Sequence, residues 1–284
     1  MEIIHRRQRM SSISRKLRRE QDKTIGLVPT MGALHEGHLS LIREARQMCD
    51  VVIVSIFVNP AQFGKNEDFD NYPRDLTSDT SRLTDYSVDY IFAPPVEEIY
   101  PDGFSTYIYV ENLSDLLEGA ARPGHFRGVA TVVSILFNTI RPDFAFFGQK
   151  DGQQIAVIKR MVKDLAFETE IVTMATVREE TGLAMSSRNA YLNPREKQAA
   201  SVIYQALREA KLAYRDGVRD ADRLASIVTD KINSEPLARL EYVGVTDAET
   251  LTPLNRLNDE TVLVSVAVRF GQTRLIDNAT LNKK

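Results

Sequence analysis

An α/β fold with a smaller α+β module behind it is what this sequence predicts, and three observations predict it. Short apolar, β-branched runs alternate with helical periodicity from residue 24 to about residue 173. That alternation stops near Thr176, where a polar loop of residues 178–189 begins. Beyond it lie two helical stretches and then three strand-like runs in succession, the order expected of a short antiparallel sheet. We therefore expect two domains, residues 1–175 and 176–284.

Taken in order, the arginine-rich residues 1–20 superficially resemble a transit peptide. Ile13 and Leu17, four apart, fit one helical face instead, and Glu20 and Asp22 interrupt the charge run, so a surface helix is expected. Residues 25–28, 51–58, 90–93, 144–147 and 170–174 read as strands of a parallel sheet with helices on both faces. Ligands of such sheets sit at the carboxyl ends of the strands, where His35, Asn59 and Lys150 all arrive. Residues 194–216 and 221–233 have helical patterns, and residues 240–246, 261–270 and 273–277 read as strands, the last two joined by a tight turn at Gly271-Gln272.

Bulk composition narrows the class. With 284 residues, 43% apolar and 26% charged, the chain can bury one large core or two smaller ones. A net charge of −3 argues against broad nucleic-acid binding, which calls for a basic excess. The single cysteine, Cys49, excludes an intramolecular disulfide and suits a reducing compartment; its place at the end of a helical pattern suggests a small buried side chain. No apolar run approaches membrane-spanning length, so a cytoplasmic protein without membrane attachment is expected.

Residues 29–38 read Pro29-Thr30-Met31-Gly32-Ala33-Leu34-His35-Glu36-Gly37-His38 and join a strand to an amphipathic stretch ending near Met48. A glycine-bearing turn opening a helix offers backbone N–H groups and the positive end of the helix dipole to an anion, and histidines three apart share one face beside it. Capping or surface histidines are the bland alternative. A zinc site fits poorly, because the metalloprotease pattern spaces its histidines four apart and no cysteine or third histidine completes a set.

Four further clusters accompany this turn: residues 55–64 (SIFVNPAQFG), 122–128 (RPGHFRG), 147–154 (FGQKDGQQ) and 182–189 (GLAMSSRN). In this order and at these intervals, over nearly the whole chain, the five blocks closely resemble the pantoate–β-alanine ligase family. A lone His-x-Gly-His turn also marks other nucleotidyltransferases and class I aminoacyl-tRNA synthetases; the combination is far more specific. The resemblance implies a Rossmann-like first domain, a C-terminal lid, and ATP-dependent condensation of pantoate with β-alanine through pantoyl adenylate, with Mg²⁺ and a homodimer. Three rivals stand beside it: a nucleotidyltransferase for another acid, a nonenzymatic nucleotide-binding regulator, and a tRNA synthetase, for which no anticodon-reading segment remains.

By resemblance, His38, His35, Lys150 and Arg188 would be catalytic. ATP would be met by Met31, His35, His38, Gly148, Lys150, Asp151, Val177, Met185, Ser186, Ser187 and Arg188. Pantoate would be met by Gln62, Gln154, Pro29, Met31, Asn59 and His125, with Phe63 sheltering its methyl groups. Asn59 could instead orient its loop, and Asp151 could instead cap the helix that follows. No protein side chains are expected to form a metal cage; carboxylates of residues 67–75 would at most reach Mg²⁺ through water. The chain departs from the family pattern at Gln149 (commonly glutamate), Ile135 (commonly lysine) and Thr181 (commonly aspartate).

Overall fold

The computed structural model describes residues 1–65 and 67–282. Two compact units emerge. The first comprises Met1–Asp115, Gly119–Gly148 and Val157–Met174; the second comprises Leu116–Glu118, Gln149–Ala156 and Ala175–Lys284. A single cut near Thr176 was expected, but two short segments upstream of it pack with the second unit.

In the first unit the chain forms β1 (Glu2–Ile4), α1 (Arg7–Glu20), β2 (Ile25–Thr30), α2 (Glu36–Met48), β3 (Val51–Ile56), α3 (Leu76–Leu83), β4 (Tyr90–Phe92) and α4 (Val96–Ile99). It continues through α5 (Glu118–Ala121), α6 (His125–Ile140), β5 (Phe144–Gly148), α7 (Gly152–Asp164) and β6 (Glu170–Met174), of which Glu118 and Gly152–Ala156 group with the second unit. The six strands form one sheet in the order β1-β4-β3-β2-β5-β6, with parallel pairing throughout. Strands β2 and β3 are apolar almost without alternation because both faces are covered. Gly26 lets β2 lie close under the end of α2, since a Cβ there would sit 2.8 Å from Cys49 Sγ and 3.2 Å from Phe146 of β5. Cys49 is buried as expected, and burial pushes its thiol pKa up to about 11.

Strand order reverses between β2 and β5: β3 and β4 extend one way from β2, β5 and β6 the other. Side chains at the carboxyl ends of neighbouring strands cannot fill the gap at such a switch point, which makes it the natural ligand crevice. The histidine turn follows β2 directly, and Gly148 closes β5 beside it.

Strand β1 has no counterpart in the sequence reading. It is three residues long, and only Ile4 of it is buried, too little for a period-2 signal. Helix α1 buries Met10, Ser14 and Leu17, with Ile13 half-buried at the edge of that face.

The second unit contains α8 (Pro194–Ala199), α9 (Val202–Arg215), α10 (Ala221–Asn233) and the antiparallel sheet β7 (Ala238–Asp247), β8 (Val262–Phe270) and β9 (Thr273–Leu281). Helices α9 and α10 lay Ala206, Ala210, Leu224, Val228 and Ile232 against Val264, Val266, Val268 and Phe270. One continuous helix over residues 194–216 was expected. The stretch breaks at Ala200-Ser201, where the Ser201 and Ile203 N–H groups turn to carbonyls three residues back. The β8–β9 turn falls at Gly271-Gln272 as expected, with Gly271 at φ +55°. Strand β9 runs four residues beyond its expected end.

Candidate active site

The histidine turn is built by the backbone it interrupts. After β2, Thr30 Oγ1 donates to Ser55 O at 2.8 Å and accepts from Gly32 N at 3.2 Å. Gly32 and Ala33 then both take left-handed conformations, φ +83° and +50°. The first is natural for glycine and the second is costly for alanine. A buried carboxylate stabilises the reversal: Asp79 of α3 accepts from Ala33 N at 3.0 Å and from Leu34 N at 2.8 Å. Burial raises the Asp79 pKa, and the two backbone donors act against that rise.

His35 and His38 then cap α2 reciprocally. His35 Nδ1 accepts from Gly37 N at 3.2 Å, and His38 Nδ1 accepts from His35 N at 3.3 Å. An imidazole nitrogen that accepts carries no hydrogen, so each neutral ring bears its proton on Nε2. With ring centroids 4.1 Å apart, the first turn of α2 presents two imidazole Nε2–H donors side by side. These histidines therefore cap α2, and the capping fixes the tautomer whose Nε2–H can donate outward.

A second cluster in the first unit surrounds Gln62. Asn59 caps the short turn Pro60–Gln62, and its amide is fully used: Nδ2 donates to Gln62 Oε1 and Gly128 O, while Oδ1 accepts from Ala61 N and Tyr100 Oη. No donor or acceptor remains on Asn59 for an acid. These four bonds orient the loop that carries Gln62. Gln62 Nε2 reaches Met31 Sδ at 3.0 Å, a weak acceptor easily exchanged for a better one. Close approach of the turn to α6 depends on Gly128, where a Cβ would collide with the Ala61 carbonyl.

His125 Nδ1 lies 2.8 Å from Gln62 O and its Nε2 lies 3.2 Å from Arg122. A guanidinium only donates, so Nε2 accepts and Nδ1 donates to the Gln62 carbonyl. Arg122 in turn holds Glu67 by Nε–Oε1 and Nη2–Oε2 contacts of 2.7 and 2.5 Å. Burial opposes ionisation of Glu67, but the Arg122 contacts prevail and its pKa is lowered. Glu67 thus pairs with Arg122, and Asp75 caps α3 by accepting from Ser78 N. Among the described residues no group of three or more His, Cys, Asp and Glu side chains could hold a metal ion, and no helix is long and apolar enough to cross a membrane.

In the second unit, Gln149–Asp151 form a single 3-10 turn leading into α7. Lys150 Nζ lies 3.2 Å from Asp151 Oδ1. The backbone of this turn is held by Asn278 of β9, whose Nδ2 donates to Gln149 O and Lys150 O, both at 2.8 Å. Gln149 Nε2 returns a bond to Asn278 Oδ1 at 3.2 Å, a donation the family's usual glutamate could not make. Gln154 lies half-buried on the first turn of α7. Val177 and Met185 are joined by a 3.0 Å backbone bond, and Ser186 caps the turn Ser187–Tyr191 by accepting from Arg188 N. At Thr181 the hydroxyl accepts from Leu183 N at 3.5 Å, a weak version of the turn an aspartate would close. Ile135 is half-buried on α6, and nothing in the structure explains its replacement of a lysine.

Residues 2–280 match the family model described as pantoate-beta-alanine ligase. The chain belongs to the pantoate–β-alanine ligase family. A pantothenate synthetase from Pelotomaculum thermopropionicum is 54% identical over 93% of this chain and 94% of its own length, and one from Heliobacterium modesticaldum is 52% identical over 98% of both. Among solved structures, pantothenate synthetase from Thermus thermophilus aligns with TM-score 0.93 and 43% identity over the full length of both chains. The pantoate-beta-alanine ligase of Francisella tularensis, complexed with beta-gamma ATP and beta-alanine, aligns with TM-score 0.80 and 37% identity over 98% of this chain and 97% of its own. The parallel six-stranded sheet and the small antiparallel sheet are those of this ligase family.

Within each unit, motif residues of the family sit in contact. Gln62 meets Met31 through its amide and His125 through its carbonyl in the first, and Lys150 and Asp151 share one turn in the second. Sequence reasoning missed Asp79 and Asn278. Each acts on backbone far away in sequence, 45 and 128 residues, and no local pattern marks either.

Proposed function

We propose that this ATP-dependent pantoate–β-alanine ligase acts in two steps, pantoate first displacing pyrophosphate from ATP to give pantoyl adenylate, and the amine of β-alanine then displacing AMP to give pantothenate. A carboxylate is already ionised at neutral pH, so the first step needs no general base. It needs alignment and neutralisation of the charge that grows on the phosphates. The observation that carries the reading is the reciprocal cap of His35 and His38, which fixes two Nε2–H donors at the N-terminus of α2.

In this reading the imidazoles and the α2 N-terminus bind the phosphates and stabilise the transition state at the α-phosphorus. Lys150 and Arg188 neutralise the departing pyrophosphate, with Ser186 and Ser187 as hydroxyl donors. Met31, Gly148, Asp151, Val177 and Met185 line the nucleotide. Pantoate is held by the amides of Gln62 and Gln154 against Pro29 and Met31, with His125 fixing the Gln62 turn. Neutral amides suit a substrate recognised by its hydroxyls, and a buried amide deprived of its partner costs about 1–3 kcal/mol, which rejects acids lacking them. By the family resemblance the nucleotide would enter as MgATP, with the phosphates supplying oxygen ligands to the ion. The family resemblance further supports a cytoplasmic homodimer, which light scattering of the purified protein would test.

Purified protein given MgATP, D-pantoate and β-alanine should form AMP and pantothenate in equal amounts, and ATP–pyrophosphate exchange should need pantoate but not β-alanine. Exchange independent of pantoate, or supported by unrelated acids, would sink the proposal.

A further inference from the structure

Asp277 and Asn278 are consecutive on β9, so their side chains leave opposite faces of the sheet. Both are buried, although neither is apolar and neither belongs to a motif of the sequence reading. A buried carboxylate and a buried amide carry a desolvation cost that only well-made partners offset, and their partners are specific.

Asn278 spends both amide hydrogens on the carbonyls of Gln149 and Lys150 and its oxygen on Gln149 Nε2. The turn bearing Lys150 is thereby bonded at two successive carbonyls. On the other face, Asp277 accepts Arg178 through both oxygens, at 2.5 and 3.1 Å. Arg178 Nη1 also donates to Gly182 O at 3.1 Å, and its guanidinium lies over the Tyr204 ring at 4.6 Å. That guanidinium closes the small hairpin in which Arg178 bridges Ala184 and Glu179 N bonds Leu183 O. Met185–Arg188 emerge from this hairpin, and Asn189, just beyond them, is fixed by Glu179 Oε1 and Ala184 O. Asp277 Oδ1 also accepts from Asn278 N at 2.8 Å, which joins the two halves.

We propose that the Asp277-Asn278 pair is a common positioning device for the two cationic phosphate-binding elements, setting Lys150 through the carbonyls of its turn and Arg188 through the Arg178 hairpin. The inference deepens the proposed function and rests on its assignment of Lys150 and Arg188 to phosphate. It explains why a C-terminal strand distant in sequence from every motif carries a buried carboxylate beside a buried amide. It also gives Gln149 a role: its amide holds the Asn278 oxygen and so points both amide hydrogens at the Lys150 turn. Displacement of a point charge by a fraction of an ångström weakens charge stabilisation in the transition state more than overall folding.

Asn278→Ala and the isosteric Asn278→Asp, which turns a carboxylate toward two carbonyls, should each lower kcat and raise the KM for ATP, together a loss in kcat/KM of about tenfold to 100-fold, while the KM for pantoate stays within about twofold. Asp277→Asn should do the same through Arg188. A purely structural role would lower the melting temperature and the active fraction without splitting the two KM values. Double-mutant cycles decide the matter. In a Lys150→Ala background Asn278→Ala should cost almost nothing further, and in an Arg188→Ala background Asp277→Asn should cost almost nothing further. Additive losses, or unchanged ATP kinetics in folded Asn278→Ala, would overturn the inference while leaving the phosphate assignments intact. If Lys150→Ala and Arg188→Ala were themselves silent, the assignments would fall first and the positioning role with them. Should Asp277→Asn not fold, Arg178→Gln tests the same half.

Discussion

The Asp79 carboxylate accepts the Leu34 N–H at 2.8 Å from inside the protein, one residue before the first histidine of the turn that opens α2. Removing it should therefore damage catalysis as well as stability. Asp79→Ala leaves the buried Leu34 N–H and the half-buried N–H of Ala33, already in a left-handed conformation, without their acceptor. A cost of roughly 2–4 kcal/mol is expected in urea melts, with a clear fall in kcat because His35 loses its entry geometry. The pH dependence has a definite sign. Since folding raises the Asp79 pKa, its contribution to stability is full below the ordinary aspartate value of about 3.9 and declines as pH rises through the folded value. Asp79→Asn should flatten that part of the stability–pH curve.

Asp79 also shows where the sequence was legible and where it was not. The parallel sheet could be read because β2, β3 and β5 are buried on both faces and carry nearly unbroken apolar runs. The histidine turn could be read because glycines and two histidines fall together in ten residues. Asp79 could not, because in residues 76–83 (LTSDTSRL) it looks like any solvated helix residue, and only the fold brings it to Ala33 and Leu34. The main division falls at Met174/Ala175, beside the expected Thr176, but two upstream segments that group with the second unit were not legible for a related reason. Residues 116–118 and 149–156 join the second unit through long-range bonds, among them Arg274 to Glu118 and Asn278 to Lys150, that no local pattern announces.

Glu67→Gln should weaken pantoate binding without touching it. The carboxylate fixes Arg122, and Arg122 supplies the donor that sets the His125 tautomer holding the Gln62 carbonyl. Loss of a charge-assisted, partly buried pair costs about 1–3 kcal/mol, and the KM for pantoate should rise severalfold more than that for ATP. Because the folded pKa of Glu67 is lowered, its stabilisation is complete above about pH 4.3 and is lost as pH falls through the folded value. The variant should therefore lose less stability on acidification than the parent. Equal KM changes for both substrates would contradict this chain of contacts.

Gly182→Ala should disable the second unit's loop selectively. Gly182 has φ +90°, and a Cβ there would collide with the Tyr204 ring. The hairpin must then shift, carrying Met185–Arg188 with it. We expect about 1–3 kcal/mol of destabilisation and a KM for ATP raised at least tenfold. Adding Tyr204→Ala, which opens the space, should recover part of the stability but not the backbone preference.

His38→Ala separates catalysis from binding. His38 Nδ1 takes the His35 N–H, so the substitution removes one proposed donor and also loosens the cap that sets the other. If the imidazoles chiefly meet charge that develops as pyrophosphate leaves, the loss falls on the transition state: kcat should drop on the order of 100-fold or more, while the ATP dissociation constant measured by calorimetry changes only a few fold. His38→Gln retains a side-chain oxygen that can accept from His35 N, restoring the cap without restoring an imidazole. It should recover helix stability and leave turnover low. Full recovery of turnover in His38→Gln would mean that the histidine serves only to cap α2, and a parallel collapse of ATP affinity in both variants would place its contribution in the ground state.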